Sequence, residues 1–278
     1  MSTHTVKLLN PRNQLSLFEY KKNFNNFINL FKKNKMHHSI LFNGPKGSGK
    51  ATFAYHLANC LLSKNEVNKY SLENNVIFDE NISYKQICSG LHPNFFALEC
   101  EDLEKDIKIE KVRKLLKFLN TTTYSKNLKI ILLDNAENLN LNSSNALLKS
   151  IEEPPKNTFF FIIHNSSYKI LSTIKSRSIE YKFFLSLNDK KNCLSKIISQ
   201  YKLVYDTDKL VDNFYFDTPG NLVNYIILLS EFELDPLKSI SESIYFFIEK
   251  YKKEKNPEIL QFLSTFVEKF YKDMAEIS

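Results

Sequence analysis

The stretch Gly44-Pro45-Lys46-Gly47-Ser48-Gly49-Lys50 limits the possible folds of this chain more than any other feature. It follows a short apolar run at 39–43 and precedes a segment at 51–62 whose apolar residues recur at helical spacing. Glycines permit the tight turn in which backbone N–H groups face phosphate oxygens, and the lysine reaches the β and γ oxygens. A strand, a G-x-x-x-x-G-K loop and a helix together predict a nucleotide-binding loop. A surface turn that happens to contain glycines is the alternative.

Short apolar segments alternate with helical patterns through the first two thirds of the chain. Strand patterns occur at 95–98, 129–133, 158–163 and 179–184, and helical patterns occur at 19–31, 109–119 and 143–151. Strands that alternate with helices predict an α/β fold with a doubly wound, mostly parallel sheet. The Asn-rich stretch 66–89 is only weakly periodic and is interpreted as an insertion.

The pattern changes at residue 185, after which apolar residues recur only at helical spacing. Thr218-Pro219-Gly220, Asp235-Pro236 and Asn256-Pro257 mark turns between small helical modules. We therefore expect a P-loop domain at 1–184, a small all-α lid at 185–230 and a short C-terminal helical domain at 231–278.

Charge and composition limit the classes of partner and compartment. The chain of 278 residues carries a formal net charge of +7, which permits contact with a polyanion such as DNA, although a generic basic protein is equally compatible. Four scattered cysteines without a C-x-x-C pair predict neither a disulfide framework nor a zinc knuckle. Residues 1–10 carry no apolar signal segment, and no apolar run is long enough to span a bilayer. We expect a cytoplasmic protein without membrane contact.

Two positions of the expected nucleotide site lack side chains that hydrolysis requires. Ala51 follows the loop lysine where the motif has a Ser or Thr whose hydroxyl binds magnesium. Thr52 does not replace it, because one step along a helix rotates the side chain by about 100°. Asp134 ends an apolar strand and is the candidate magnesium acid, with an ordinary turn acid as the alternative. Asn135 beside it cannot act as a base. We expect weak magnesium-nucleotide binding and no hydrolysis of ATP by this chain.

Two further segments carry a family resemblance. The run Ser-Asn-Ala-Leu-Leu-Lys-Ser-Ile-Glu-Glu-Pro-Pro at 144–155 and Ser176-Arg177-Ser178 before the last strand resemble hallmark segments of the AAA+ clamp-loader subunits of bacterial DNA polymerase III. With the phosphate loop, they are most similar to the delta-prime type. Packing alone would also explain the first run, because its leucines give a buried face and Pro154-Pro155 end the helix.

The resemblance implies roles for individual residues. In the family, the arginine of a Ser-Arg-Cys motif reaches the ATP of a neighbouring subunit, which implies that Arg177 is an arginine finger in trans; a local salt bridge is the alternative. Asn165 matches a polar sensor position, and Gly220 stands where hydrolysing subunits have a sensor arginine. Three residues match a helix that contacts DNA phosphates in the family and are candidate DNA contacts: Ser143, Ser144 and Lys149.

Other features of the resemblance concern structure and metals. His37-His38 and His92-Pro93-Asn94 are similar to the family's approaches to its first two strands, so we expect structural roles for them. The four-cysteine zinc module of the family is not recognisable, and we predict no bound metal. ATP or ADP is the only ligand that the resemblance implies for the phosphate loop.

The sequence leaves four hypotheses, of which the first is favoured. It is a non-hydrolysing subunit of a hetero-pentameric clamp loader, which acts with gamma- or tau-type ATPase subunits and a delta-type subunit to load the sliding clamp onto primed DNA. A gamma-type ATPase motor would need compensation at Ala51, Asn135 and Gly220. An unrelated P-loop kinase would not explain the segments at 144–155 and 176–178. A delta-type subunit usually lacks a recognisable phosphate loop.

Overall fold

A computed structural model describes residues 8–100, 106–120, 128–230, 232–237 and 240–277. The chain forms two compact units. The first comprises Leu9–Phe184, and the second is helical and begins at Leu185. No helix among the described residues has both the length and the apolar character that crossing a membrane requires.

A parallel sheet is the framework of the first unit. Its five strands lie in the order β2-β3-β4-β1-β5. Their bounds are β1 Ser39–Gly44, β2 Phe95–Leu98, β3 Lys129–Leu133, β4 Thr158–Asn165 and β5 Ile179–Lys182. The central strands β3 and β1 are almost wholly buried, as expected for parallel strands that are covered on both faces.

The described part of this unit contains six α-helices: α1 Lys21–Lys32, α2 Lys50–Leu62, α3 Ile82–Ser89, α4 Ile109–Asn120, α5 Leu141–Glu152 and the short α6 Ser172–Lys175. One apolar cluster contains Phe24 of α1 and Phe53 of α2, and another contains Leu115 of α4 and Leu147 of α5. Each cluster also contains residues of the sheet. Successive residues of β3 belong alternately to the two clusters, because neighbouring side chains of a strand point to opposite faces of the sheet. The prediction of an α/β fold with a doubly wound parallel sheet is confirmed.

Two strand ends differ from the predicted bounds. β5 ends at Lys182, the last residue that pairs with β1, and Phe184 is largely exposed. β4 continues to Asn165, which pairs with Gly44, so it is longer than its apolar run. Backbone pairing therefore sets these ends, and the apolar pattern only approximates them.

The stretch 66–89 contains α3 and is held by polar side chains. Asn81 caps α3 by accepting a hydrogen bond from the backbone N–H of Tyr84, and Asn59 donates to the same side chain at 2.8 Å. The Glu66 carboxylate accepts from the backbone N–H groups of Ile82 at 2.9 Å and Ser83 at 3.0 Å. These bonds satisfy the free donors at the start of the helix.

Five helices occur among the described residues of the second unit: α7 Leu187–Gln200, α8 Thr207–Asn213, α9 Pro219–Ser230, α10 Ile240–Glu254 and α11 Pro257–Ile277. One apolar cluster contains Tyr225 of α9, Phe247 of α10 and Phe266 of α11. Asp217 lies just before α9, where it accepts hydrogen bonds from Asn221 and Tyr225. Helices on both sides of residue 230 thus share a core, and the boundary between a lid and a terminal domain stays a prediction.

Candidate nucleotide site and arginine motif

The predicted phosphate loop joins the end of β1 to the start of α2 at the carboxyl edge of the sheet. Gly47 and Gly49 have positive φ angles of 77° and 86°, a conformation that other residues rarely adopt. At Gly44 a Cβ atom would lie 2.8 Å from the carbonyl oxygen of Phe183, so a side chain has no room there. Pro45 and Lys46 are exposed at the tip. The local geometry is that of a phosphate-binding turn.

The loop lysine is engaged with its own loop. The Nζ atom of Lys50 donates to the carbonyl oxygens of Gly44 at 2.7 Å and Pro45 at 2.6 Å, and the side chain is only 5% exposed. The Ser48 hydroxyl also donates to the Pro45 carbonyl oxygen. The Tyr20 hydroxyl donates to the backbone carbonyl oxygen of Ser48. Burial lowers the pKa of Lys50 to about 8. A phosphate group would have to replace these carbonyl contacts of the lysine.

Ala51 and Thr52 lie in the first turn of α2, directly after the lysine. Ala51 has no side-chain oxygen that could ligate magnesium, so this chain lacks the metal ligand that the motif has at this position. The observed helix supports the argument that Thr52 points elsewhere, because consecutive helical residues are rotated by about 100°.

Acidic residues surround the end of β3 near the loop. Burial and the nearby Glu99 raise the pKa of Asp134 to about 6. The backbone N–H of Asn135 donates to the Asp134 carboxylate at 2.9 Å, and Asn135 itself is exposed with a left-handed φ of 53°. The Glu137 carboxylate accepts from the backbone N–H of Asn165 at 3.2 Å. Asp134, the predicted magnesium ligand, is therefore close to two further carboxylates, those of Glu99 and Glu137.

Sequence reasoning missed a half-buried polar cluster next to Asp134. Glu99 follows β2, and its carboxylate accepts hydrogen bonds from the guanidinium of Arg12 and the hydroxyl of Tyr55. Burial and the Glu99 charge raise the pKa of Tyr55 far above its ordinary value. The sequence shows only that an acid directly follows a predicted strand. It does not show the sheet order, which places β2 beside β3.

Asn165 lies at the end of β4, at the same edge as Gly44, with which it pairs. Its side-chain oxygen accepts from the backbone N–H of Ser167 at 3.2 Å. The ring of the neighbouring His164 forms hydrogen bonds with Asn43 and with the Tyr168 carbonyl. A sensor role for Asn165 stays a prediction.

Arg177 lies at the opposite, amino edge of the sheet. It comes just before β5, and the hydroxyls of Ser178 and Ser39, at the start of β1, are 2.8 Å apart. Its Nε donates to Glu152 at 2.8 Å, and its Nη1 donates to the Thr173 carbonyl at 3.1 Å. The local salt bridge is thus present, and it joins the two segments that carry the family resemblance. Because the strands are parallel, Arg177 and the phosphate loop of the same chain lie at opposite sheet edges.

Two of the candidate DNA contacts, Ser143 and Ser144, lie at the start of α5. Ser143 and Ser144 are fully buried, and the Ser143 hydroxyl donates to the Ile107 carbonyl at 2.9 Å. The N–H of Ser143 is capped by the side chain of Asn140. Both side chains are therefore covered in this chain, and contact of these two residues with DNA stays a prediction. Lys149 is exposed and stays a candidate.

Gly220 lies in the first turn of α9 in the second unit, and its match to a sensor-arginine position stays a prediction. Among the described residues, no group of three His, Cys, Asp or Glu side chains is arranged to hold a metal ion. Among the described residues, no disulfide involves Cys60, Cys88, Cys100 or Cys193. Burial raises the pKa of Cys60 to about 12, which makes this thiol unreactive at neutral pH.

The family described as "DNA polymerase III, delta subunit" matches residues 20–185, which include both the phosphate loop and the arginine motif. This chain belongs to that family. A delta' subunit of DNA polymerase III from Pseudomonas aeruginosa is 36% identical over 143 residues, covering 51% of this chain and 42% of that protein. A delta' subunit from Buchnera aphidicola of Acyrthosiphon pisum is 30% identical over 166 residues, covering 59% of this chain and 48% of that one. The delta-prime resemblance is confirmed.

Other relatives are gamma subunits. One from Buchnera aphidicola of Schizaphis graminum is 30% identical over 183 residues, covering 66% of this chain and 48% of that protein. The chain thus spans less than half the length of these curated relatives. Among solved structures, a gamma-subunit-related protein from Thermotoga maritima gives a TM-score of 0.48 at 16% identity, covering 87% of this chain and 91% of that one.

Proposed function

We propose that this chain is a cytoplasmic, non-hydrolysing clamp-loader subunit of DNA polymerase III that supplies Arg177 to the ATP site of a neighbouring ATPase subunit. One observation carries the proposal: Arg177 is at the sheet edge opposite to its own phosphate loop, so it cannot serve that loop. Its fork of donors suits phosphate oxygens, and an arginine finger accelerates related reactions by about 10³-fold or more.

The pairing of Arg177 with Glu152 supports an arginine that is held ready and easily released. The two side chains are 31% and 56% exposed, and exposed ion pairs contribute only about 0–1 kcal/mol. A phosphate with its higher charge would replace the carboxylate of Glu152 at little cost. The glutamate therefore orients the arginine before assembly without competing strongly against ATP.

The chain's own phosphate loop fits a phosphate group better than it fits magnesium-ATP. Gly47, Gly49 and Lys50 provide the turn and the cation, and ATP or ADP is the ligand that this geometry would take. Ala51 lacks the metal-binding hydroxyl and Asn135 lacks a basic oxygen, so the loop supplies neither magnesium coordination nor activation of water. Any bound nucleotide would serve stability or assembly.

The proposed assembly follows from what the relatives are named. Delta' and gamma subunits of DNA polymerase III suggest gamma- or tau-type ATPase and delta-type partners in a hetero-pentamer, with the sliding clamp and primed DNA as its substrates. Exposed Lys149 would contact the DNA backbone without reading sequence.

A gamma-type motor is the second candidate, because relatives named gamma reach 30% identity and the acids near Lys50 are retained. The two candidates differ in which variant lowers ATP turnover by a reconstituted loader that contains clamp, primed DNA and the cognate ATPase partner. Arg177→Ala is expected to lower turnover strongly, and Lys50→Ala is expected to leave it nearly unchanged.

Arg113→Ala is the matched control, because Arg113 is an exposed arginine of α4 in the same unit. It removes one positive charge and leaves the motif intact, so turnover should stay at the native value. A larger loss from Lys50→Ala than from Arg177→Ala would reverse the assignment and make the chain a motor.

A further inference from the structure

An open pocket of about 1050 Å³ lies at the amino edge of the sheet, within the first unit. Its walls come from the segments that precede β1, β2 and β4 and from Ile179, the first residue of β5. Arg177 does not line this amino-edge pocket, but it precedes Ile179 by two residues. Glu152, which pairs with Arg177, likewise precedes the lining residue Pro154 by two. The pocket therefore opens beside the arginine motif and away from the phosphate loop.

The rim of the amino-edge pocket is positively charged. Lys35, Lys64 and Lys156 line it and are exposed, and none of them forms an ion pair with a described residue. They belong to three different connections between helices and strands. Glu66 is the only acid among the described lining residues, and its carboxylate accepts hydrogen bonds from backbone N–H groups at the start of α3. The excess of positive charge favours an acidic ligand.

Part of the pocket wall is apolar and exposed. Ile179 is 56% exposed although it begins a strand, and Pro93 and Pro155 are exposed as well. Phe31 and Phe159 are partly buried and meet edge to face, with their ring centroids 5.7 Å apart. Apolar groups with a polar and charged rim are the usual composition of a protein–protein interface. The lining therefore suits a protein segment that carries both carboxylates and an apolar side chain.

The arginine motif indicates which protein would cover this edge of the sheet. Arg177 can reach the ATP of a neighbouring ATPase subunit only if that subunit packs against the amino edge. A stable interface takes about 800 Å² from each protein, which is far more surface than one arginine offers. The neighbour must therefore contact the surface around Arg177, and the two segments that hold Arg177 and Glu152 continue into the pocket wall.

We propose that the amino-edge pocket is the docking site for an acidic segment of the neighbouring ATPase subunit, the subunit whose ATP Arg177 contacts. This inference rests on the proposed function and extends it from one arginine to a surface. Carboxylates of the segment pair with the three rim lysines, and an apolar side chain of the segment covers Ile179 and Pro155. The docked segment holds Arg177 at a fixed position relative to the neighbour's ATP, because the chain runs directly from the motif into the pocket wall.

Binding of the labelled full chain to the cognate ATPase subunit, followed by fluorescence anisotropy, tests the proposal. The variant Lys35→Ala/Lys64→Ala/Lys156→Ala removes the rim charges. An exposed ion pair contributes about 2–5-fold in affinity, so the loss of three pairs should weaken binding by roughly 10–100-fold at low salt. At about 0.5 M salt the native and variant proteins should bind almost equally, because salt screens the native pairs.

The matched control is Lys22→Ala/Lys69→Ala/Lys114→Ala, which removes the same charge from exposed positions outside the pocket. It should bind the ATPase subunit with native affinity. Circular dichroism and thermal melting verify that each variant is folded. Equal weakening in the pocket and control variants would overturn the proposal, because net charge alone would then explain the effect. Native affinity of the pocket variant would overturn it as well.

ATP turnover by the reconstituted loader separates a failure of docking from a failure of the proposed function. Raising the concentration of the pocket variant should restore turnover, because Arg177 is intact, whereas Arg177→Ala should keep turnover low at every concentration. Native affinity of the pocket variant together with turnover that still requires Arg177 would refute the docking site alone. Turnover that does not require Arg177 would refute the proposed function.

Single-stranded nucleic acid is the competing occupant, because it is also a polyanion. A labelled oligothymidylate should bind the pocket variant and the control variant with equal affinity. If the oligothymidylate loses affinity for the pocket variant only, the pocket binds nucleic acid and the proposed docking site is wrong.

Discussion

Replacing Asp134 with asparagine is expected to stabilise the isolated chain at neutral pH. Burial and the nearby Glu99 raise the pKa of Asp134 from an ordinary 3.8 to about 6. Because the folded pKa lies above the unfolded one, the fold loses stability as the pH rises from about 4 to about 6, and the loss is complete at pH 7. Two pKa units correspond to about 3 kcal/mol, and solvent around this half-buried carboxylate reduces the expected gain to between about 1 and 3 kcal/mol.

Asparagine suits the test because it keeps the side-chain oxygen that accepts from the Asn135 N–H at 2.9 Å. Urea unfolding of the native and Asp134→Asn proteins should show the gain at pH 7 and its disappearance as the pH approaches about 4. Asp106→Asn is the control, because Asp106 is exposed, and surface changes of this kind stay within about 0.5 kcal/mol. A destabilised Asp134→Asn protein, or a gain independent of pH, would refute the reasoning. The expected result would mark Asp134 as a residue kept at a cost to stability.

Two other predictions concern buried groups. Burial lowers the pKa values of His56 and His92 to about 4, so NMR titration should find both rings neutral when exposed histidines have already protonated. The folded pKa of each histidine lies below the unfolded value of 6.5. Urea unfolding should therefore show that each histidine lowers the free energy of unfolding by up to about 3 kcal/mol as the pH falls from 6.5 to 4. Glu66→Ala should destabilise the fold by about 1–2 kcal/mol by uncapping α3, whereas Glu80→Ala, an exposed neighbour, should not. If the unfolding curves of Glu66→Ala and Glu80→Ala coincide, Glu66 does not cap α3.

The parts of the fold that depend on local patterns were predictable from the sequence. β3 has the bounds 129–133 that its strand pattern predicts, and β1, the phosphate loop and α2 follow one another as the glycines and helical spacing indicate. These signals work because period and turn chemistry act within about ten residues. The family segments at 144–155 and 176–178 were equally visible, since each is continuous in the sequence.

The contacts that define the surroundings of the site were not predictable, because they join distant segments. Arg12 and Glu99 are 87 residues apart, and only the pairing of β2 with β3 brings Glu99 close to Asp134. The burial of Ser143 likewise depends on the segment before α4, whose Ile107 carbonyl accepts its hydroxyl.

ATP turnover by a reconstituted loader with only one intact phosphate loop tests the central claim most directly. The loop lysines of all ATPase partners are replaced, so that Gly44–Lys50 of this chain is the only intact loop in the assembly. The account predicts turnover no higher than background with clamp and primed DNA present, because Ala51 and Asn135 leave the chain without metal coordination and a base. Turnover above background that Lys50→Ala abolishes would contradict it and identify this chain as an ATPase.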